Sequence, residues 1–412
     1  MRDGGVGMTG TRPPRLPLDF SQAPFVVIWE MTRACDLACR HCRACAITRR
    51  HPNELTTEEA RRLLRDIRRF GSPLVVLTGG DPLKRDDAID LVAYGASLGL
   101  RMAMTPSGTP LMTPEVIRRL RDAGLARLAV SLDGSTAAIH DAFRGVEGSY
   151  DWTIAMLRAA RDLGVSTQVN TTVNAGNVDD FEALAALMTG LGIAMWSVFF
   201  VVPTGRARPE LMATPEQFEA IFHRMYDLSL VAPFDVKSTA APQYRRVVIQ
   251  REAARRRAEG EAGRRPAQRG FSAPDGIARA RGVNDGDGFV FVSHTGKIFP
   301  SGFLPVSAGN VRTDDLVDVY RNARLFRTLR DRSRLKGKCG VCEFKQVCGG
   351  SRARAYAMTG DVLEADPLCA YVPAGWPPGP RDDTRLPDAG SAGDLSTASA
   401  APVPLPDCHP PQ

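Results

Sequence analysis

The 412-residue sequence has no uninterrupted apolar stretch of about 18 residues, which excludes a membrane-spanning helix and predicts no membrane contact. Residues 1–20 lack the apolar core of a secretory signal, so the expected compartment is the cytoplasm. No Gly-x-Gly-x-x-Gly follows any apolar run, which argues against a dinucleotide-binding fold. The net charge of +7 comes without any helix-turn-helix, zinc-finger or RNA-module signature. No nucleic-acid partner is therefore expected, and the excess arginine reads as soluble surface. Cysteine is absent from the whole stretch between Cys45 and Cys339.

The nine cysteines that are present sit in two groups and a tail. Cys35, Cys39, Cys42 and Cys45 form the first group, Cys339, Cys342, Cys348 and Cys369 the second, and Cys408 stands apart beside His409. An odd number of thiols in a reducing compartment points to metal or redox work rather than to a disulfide framework. Cys408 and His409 read as incidental. A composition of 43% hydrophobic and 24% charged residues is that of a globular protein with ample core.

Short runs rich in Val, Ile and Phe at residues 25–30, 73–78, 100–105, 126–132, 165–173 and 194–202 read as buried strands. Amphipathic patterns at 56–70, 86–98, 113–123, 151–163, 178–191 and 214–228 read as the helices between them. Thr56 with Glu59 three residues on is a capping-box signature. Six strand-then-helix units imply an α/β fold with a parallel sheet and right-handed crossovers. Periodicity leaves a partial barrel and an open doubly wound sheet equally open. The expected organisation is a flexible arm at 1–21, the α/β unit at 22–244, and a basic helix and linker at 245–282. A small α+β domain at 283–372 and a disordered tail at 373–412 complete it. The small domain should hold a hairpin at 288–293 and 297–300 and a helix near 316–330.

Cys35-x3-Cys39-x2-Cys42 follows the first strand directly. Three thiolates on one loop can ligate three corners of a [4Fe–4S] cube and leave the fourth iron open to a small molecule. A zinc knuckle completed by Cys45 or His41 is the alternative for this loop. Thr78-Gly79-Gly80-Asp81-Pro82 closes the second strand, and Ser131-Leu132-Asp133-Gly134 closes the fourth, followed by His140, Asp141, Phe143 and Arg144. In the second cysteine group the spacing is Cys339-x2-Cys342-x5-Cys348-x20-Cys369, which four-coordinate zinc would also accept.

Taken in order, these motifs resemble the radical S-adenosylmethionine (SAM) superfamily, over residues 22–372. The resemblance implies a partial (β/α)6 TIM-like barrel with a small C-terminal α+β iron–sulfur domain. Cys35, Cys39 and Cys42 would hold a SAM-binding [4Fe–4S] cluster. Gly79, Gly80 and Asp81 resemble that family's Gly-Gly-Glu-Pro motif, which holds the methionine amino group; Asp81 is shorter than the usual Glu. Ser131 and Arg144 would meet the SAM carboxylate or ribose, with His140 a loop histidine. Asn170, Thr172, Phe199 and Phe200 would stand near the nucleoside, the two Phe as packing residues. The second group resembles a SPASM-type extension. Pro300-Ser301-Gly302 and Ser351 stand where fuller members carry further cysteines. The four that remain, Cys339, Cys342, Cys348 and Cys369, would hold one auxiliary [4Fe–4S] cluster.

The implied activity is that of an oxidoreductase which cleaves SAM reductively and abstracts a substrate hydrogen. The motifs are most similar to the branch of haem-synthesis, pyrroloquinoline quinone and mycofactocin enzymes. The expected substrate is a tetrapyrrole haem precursor undergoing decarboxylation or oxidation, with propionates meeting the arginines of 245–281. Maturation of a ribosomally made peptide is the alternative. A structural zinc protein or an RNA-binding protein is the non-enzymatic one. A flavodoxin or ferredoxin would supply electrons.

Overall fold

The computed structural model describes residues 19–259, residues 282–377 and Cys408. The arm before residue 19, the linker at 260–281 and the tail from 378 to 407, together with His409, lie outside the described residues. Seven parallel strands follow in chain order: β1 (Val26–Thr32), β2 (Leu74–Gly79), β3 (Arg101–Met104), β4 (Leu125–Ser131), β5 (Thr167–Val173), β6 (Met195–Phe200) and β7 (Asp235–Thr239). Helices Thr57–Arg68, Ala88–Ser97, Pro114–Asp122, Ser149–Asp162, Phe181–Leu191 and Pro215–Val231 provide the crossovers. The first begins at the capping box foreseen: Thr56 Oγ1 accepts from the Glu59 N–H and the Glu59 carboxylate accepts from the Thr56 N–H. Its Ala60, Leu63, Leu64 and Ile67 are buried against the sheet.

β7 escapes sequence reading because Asp-Val-Lys-Ser-Thr has a single large apolar residue and hence no apolar run. The C-terminal hairpin also departs from the expected separate domain. β8 (Phe289–Val292), β9 (Lys297–Phe299) and β10 (Gly309–Asn310) continue the main sheet on its other edge. β8 lies parallel to β1, with Val26 opposite Phe289 and Trp29 opposite Val292. One ten-stranded sheet therefore runs from β10 to β7, and its two ends do not pair, which makes an open, partial barrel. The helix expected at 316–330 is two helices, Leu316–Asn322 and Arg324–Arg330, parted where Ala323 turns to an extended ψ of 135°. Among the described residues no helix is long and apolar enough to cross a membrane.

Alternation along the strands decides what faces the site. Val27, Trp29, Val75, Leu77, Val169, Val198 and Val290 are fully buried in the main core. The residues between them, among them Ile28, Val76, Ser131, Asn170, Phe199 and Phe289, line the concave face.

Candidate active site

A cavity of about 250 Å³ lies on this concave face at the carboxyl ends of the strands, where parallel α/β sheets bind their ligands. Cys35, Cys39 and Cys42 all line it, along with Thr78, Gly79, Gly80, Ser131, His140, Arg144, Asn170, Thr172 and Phe199. Most of the residues singled out from the sequence thus come together at one place.

The cysteine loop is held by backbone contacts on both sides. Gly80 N donates to Thr32 O (2.8 Å) and Asp81 N donates to Ala34 O (2.7 Å). A Cβ at Gly79 would stand 2.3 Å from Thr32 O, and one at Gly80 would stand 2.3 Å from Ala34 O. The two glycines are thus required by the approach of β2 to the cysteine loop, and only secondarily by any ligand. Leu37 N donates to Cys35 Sγ and Ala46 N to Cys42 Sγ, each at 3.4 Å, while Cys35 Sγ lies 3.1 Å from Ser107 Oγ. Burial pushes the Cys35 thiol up to about 12, and it raises Cys39 as well. Cationic iron would be needed to keep these sulfurs as thiolates.

Asp81 is fully buried and does not line the cavity. Its carboxylate caps the short helix Pro82–Lys84 through the Leu83 N–H (3.1 Å) and accepts from Thr109 Oγ1 (2.9 Å). The part of this motif that faces the cavity is therefore the Thr78–Gly80 backbone. Arg144 is no surface residue: its guanidinium pairs with buried Asp133 and reaches Cys39 Sγ at 3.7 Å. His140 is buried too, its Nδ1 accepting from the Asp133 N–H (3.1 Å). His41 stacks on Phe143 at 4.2 Å, and burial together with the Arg144 charge drops its pKa to about 3, so the ring stays neutral. Phe199 and Phe200 both line the cavity, and Phe200 also packs against Phe218 and Phe222 in the core.

Three features had no counterpart in the sequence reading. Cys45 and Cys408 form a disulfide across 363 residues, which corrects the reading of Cys408 as incidental and takes Cys45 out of the pool of free ligands. Arg206 is 8% exposed beside the cysteine loop, its backbone N–H donating to Cys42 O (3.0 Å), while its side-chain nitrogens have no protein partner among the described residues. Arg43, directly after Cys42, lines the cavity and pairs with buried Glu30 at 2.8 Å. The signal for that pair was available, since Glu30 interrupts an apolar strand. The described arginines of helix Tyr244–Glu259 are spent elsewhere. Arg246 pairs with Glu219, Arg251 with Asp227 and Arg255 with Glu252, and none lines the cavity.

The second cysteine group encloses its own small pocket, lined by Cys339, Cys342, Cys348 and Cys369. Gly350 N donates to Cys348 Sγ (3.4 Å) and Arg352 Nη2 approaches Cys339 Sγ (3.7 Å). Burial pushes Cys348 and Cys369 up to about 12. Fully buried Arg354 fixes this region to the barrel, pairing with Asp366 (2.9 Å) and donating to Val201 O (3.2 Å) at the end of β6. Among the described residues no three His, Cys, Asp or Glu side chains gather closely enough to share one metal ion. Four cysteines lining one pocket supply the ligand set of a multi-iron cube, whose ligands sit on separate irons. The residues present therefore fit an iron–sulfur group at each place.

Residues 29–188 match the family model of the radical SAM superfamily. The chain is 40% identical over 353 residues to the AdoMet-dependent heme synthase of Methanosarcina barkeri, covering 86% of this chain and 98% of that protein. The Fe-coproporphyrin III synthase of the same organism is 29% identical, over 84% of this chain and 87% of that one. In fold, Streptococcus suis SuiB bound to S-adenosylmethionine superposes with a TM-score of 0.64 at 16% identity, covering 85% of this chain and 78% of that chain. With a near-full-length relative at that identity, and three thiols meeting a glycine-rich strand end at the mouth of a partial barrel, the chain belongs to the radical SAM superfamily, in its branch with a cysteine-rich SPASM-type extension.

Proposed function

We propose that this radical SAM enzyme acts on a tetrapyrrole haem precursor, removing hydrogen from it in the course of a decarboxylation or oxidation. The observation that carries this reading is the aromatic lining of the cavity. Besides the three cysteines, five phenylalanine rings line it: Phe199, Phe200, Phe289, Phe291 and Phe303. Such a wall suits a broad, flat, apolar ligand. The near-full-length similarity to an AdoMet-dependent heme synthase supports the same substrate class.

When bound, the [4Fe–4S] cluster and SAM of this family supply reductive cleavage of the sulfonium to methionine and a 5′-deoxyadenosyl radical that takes a substrate hydrogen. The chain's own residues position those partners. Cys35, Cys39 and Cys42 would hold three irons and leave the fourth for SAM. The Thr78–Gly80 carbonyls would accept from the methionine ammonium, a role that buried Asp81 leaves to the backbone. Ser131 would donate to the carboxylate or ribose, and Arg144 would offer its guanidinium beside the cluster. The apolar part of the lining would limit water's access to a reactive carbon radical. Cys339, Cys342, Cys348 and Cys369 would hold the second cluster, giving the substrate's surplus electron a route away from the site. A reduced flavodoxin or ferredoxin in the cytoplasm is the proposed donor.

The test is anaerobic reconstitution followed by assay with SAM, dithionite and iron coproporphyrin III. The reading expects 5′-deoxyadenosine release stimulated by the porphyrin and a change in the porphyrin's mass, both abolished in Cys39→Ala. SAM cleavage with no change in the porphyrin would refute the substrate and turn attention to peptides.

A further inference from the structure

The cavity holds two arginines, and they are not equivalent. Arg144 is committed to Asp133 and Cys39. Arg43 is only half committed. Its Nη1 lies 2.8 Å from Glu30 Oε2, and its guanidinium carbon stands 4.6 Å over the ring of Phe291. Its Nε and Nη2 have no protein partner among the described residues. Glu30 is itself fixed from the other side by His294 Nδ1 at 2.7 Å, so the guanidinium is anchored rather than swinging. Gly302 clears the space beside it: a Cβ there would stand 3.1 Å from Arg43 Nε and 3.1 Å from the Phe291 ring.

We infer that Arg43 is the carboxylate-binding residue of the substrate cavity, gripping one acid group of a flat apolar substrate whose body lies on the aromatic wall. This inference rests on the tetrapyrrole reading and adds to it a specific point of attachment. A planar guanidinium has five donors in a fixed fork, and Glu30 uses one edge, leaving the rest to meet an incoming carboxylate. Stacking on Phe291 keeps the plane of the fork fixed and lowers the entropy lost on binding. Because Arg43 follows Cys42 directly, a carboxylate held there places the carbon chain that bears it beside the cysteine loop. Hydrogen abstraction next to a gripped acid group is the regiochemistry this arrangement favours.

The experiment is an anaerobic absorbance titration of the full chain with iron coproporphyrin III and, separately, with its tetramethyl ester. Wild type should prefer the free acid. Arg43→Ala should bind the acid on the order of 10- to 100-fold more weakly, the range for losing a charge-assisted pair, while ester binding moves far less. Because Arg43→Ala leaves Glu30 buried opposite His294 alone, the double variant Glu30→Gln/Arg43→Gln is run beside it. That pair removes both charges, keeps an amide contact, and should show the same selective loss. Acid affinity unchanged in both variants, or acid and ester affinities falling together, would overturn the inference and leave the tetrapyrrole reading intact. Wild type that binds neither porphyrin would overturn that reading, and the inference with it.

Discussion

Arg144 and Cys39, 105 residues apart in the chain, meet with the guanidinium Nη1 at 3.7 Å from the thiol sulfur. The same guanidinium neutralises Asp133, which is fully buried and whose backbone N–H is held by His140. Arg144 thus ties the cysteine loop to the end of β4. Removing it has two expected consequences. Arg144→Ala leaves the Asp133 charge buried and unpaired, which costs about 3–5 kcal/mol and should lower Tm markedly. The double variant Asp133→Asn/Arg144→Leu should recover most of that stability. In this stable background the lost hydrogen bond to a ligating sulfur should shift the midpoint potential of the first cluster to more negative values, read by EPR-monitored titration. An unchanged potential would mean that Arg144 serves the fold alone.

Gly80 offers a sharper steric test. A Cβ there would stand 2.3 Å from Ala34 O, a backbone atom that cannot move without dragging Cys35. Gly80→Ala should therefore cut iron incorporation at the first site, so that a chain holding about eight irons retains closer to four. Gly190, in helix Phe181–Leu191, is the matched control, because nothing lies within 4 Å of its Cβ position. Gly190→Ala should keep full iron and gain about 0.5–1 kcal/mol from helix propensity. Equal iron in the two variants would show that β2 does not need to approach the loop so closely.

The contrast between these positions shows what could be read from the sequence. The Cys35–Cys42 spacing and the pair Gly79–Gly80 are local patterns, and the structure brings them to one cavity. The six apolar runs were legible for the same reason, since burial on both faces of a parallel sheet leaves a continuous apolar string. What depended on distant pairing was not. Asp-Val-Lys-Ser-Thr becomes β7 only because β6 offers it an edge. The parallel pairing of β8 with β1 joins residues some two-thirds of the chain apart, and no local periodicity encodes it. Asp81 looked like a ligand-facing carboxylate until Thr109 and the Leu83 N–H took both its oxygens. Arg43 went unread because its partners, Glu30 and Phe291, lie on two different strands.

The second cysteine group should be separable from the first. Its sulfurs surround a pocket of their own, and Gly350 N and Arg352 Nη2 point at Cys348 and Cys339. Cys348→Ala should drop iron from about eight to about four per chain while the 35/39/42 site remains loaded. Measured by iron assay and EPR after reconstitution, a chain that still carries its full iron would argue that Cys348 is not a ligand. Loss of all iron would instead mean that the Arg354–Asp366 anchor makes the two regions fold as one.

The junction between the barrel and the C-terminal hairpin predicts a pH-dependent stability. Arg312 donates to both carboxylate oxygens of Glu59, at 2.7 and 3.0 Å, and to the carbonyls of Asn53, Glu54 and Thr295. The hydrogen bond from Arg312, ahead of the capping contact with the Thr56 N–H, holds the Glu59 carboxyl down at about 2 against an ordinary value of 4.5. A depressed carboxyl pKa stabilises the fold above the unfolded-state value and stops doing so as pH falls through the folded-state value. The stabilisation from this pair is therefore complete at neutral pH, declines below about 4.5, and is gone near 2. Both side chains are partly exposed, so solvent screening keeps the pair's worth to about 1 kcal/mol. Arg312→Ala should lower the urea midpoint at pH 7, and the gap to wild type should narrow steadily as the pH is brought from 5 towards 3. A gap that stays constant across that range would assign the loss to the three carbonyl contacts and leave the Glu59 charge without a part in it.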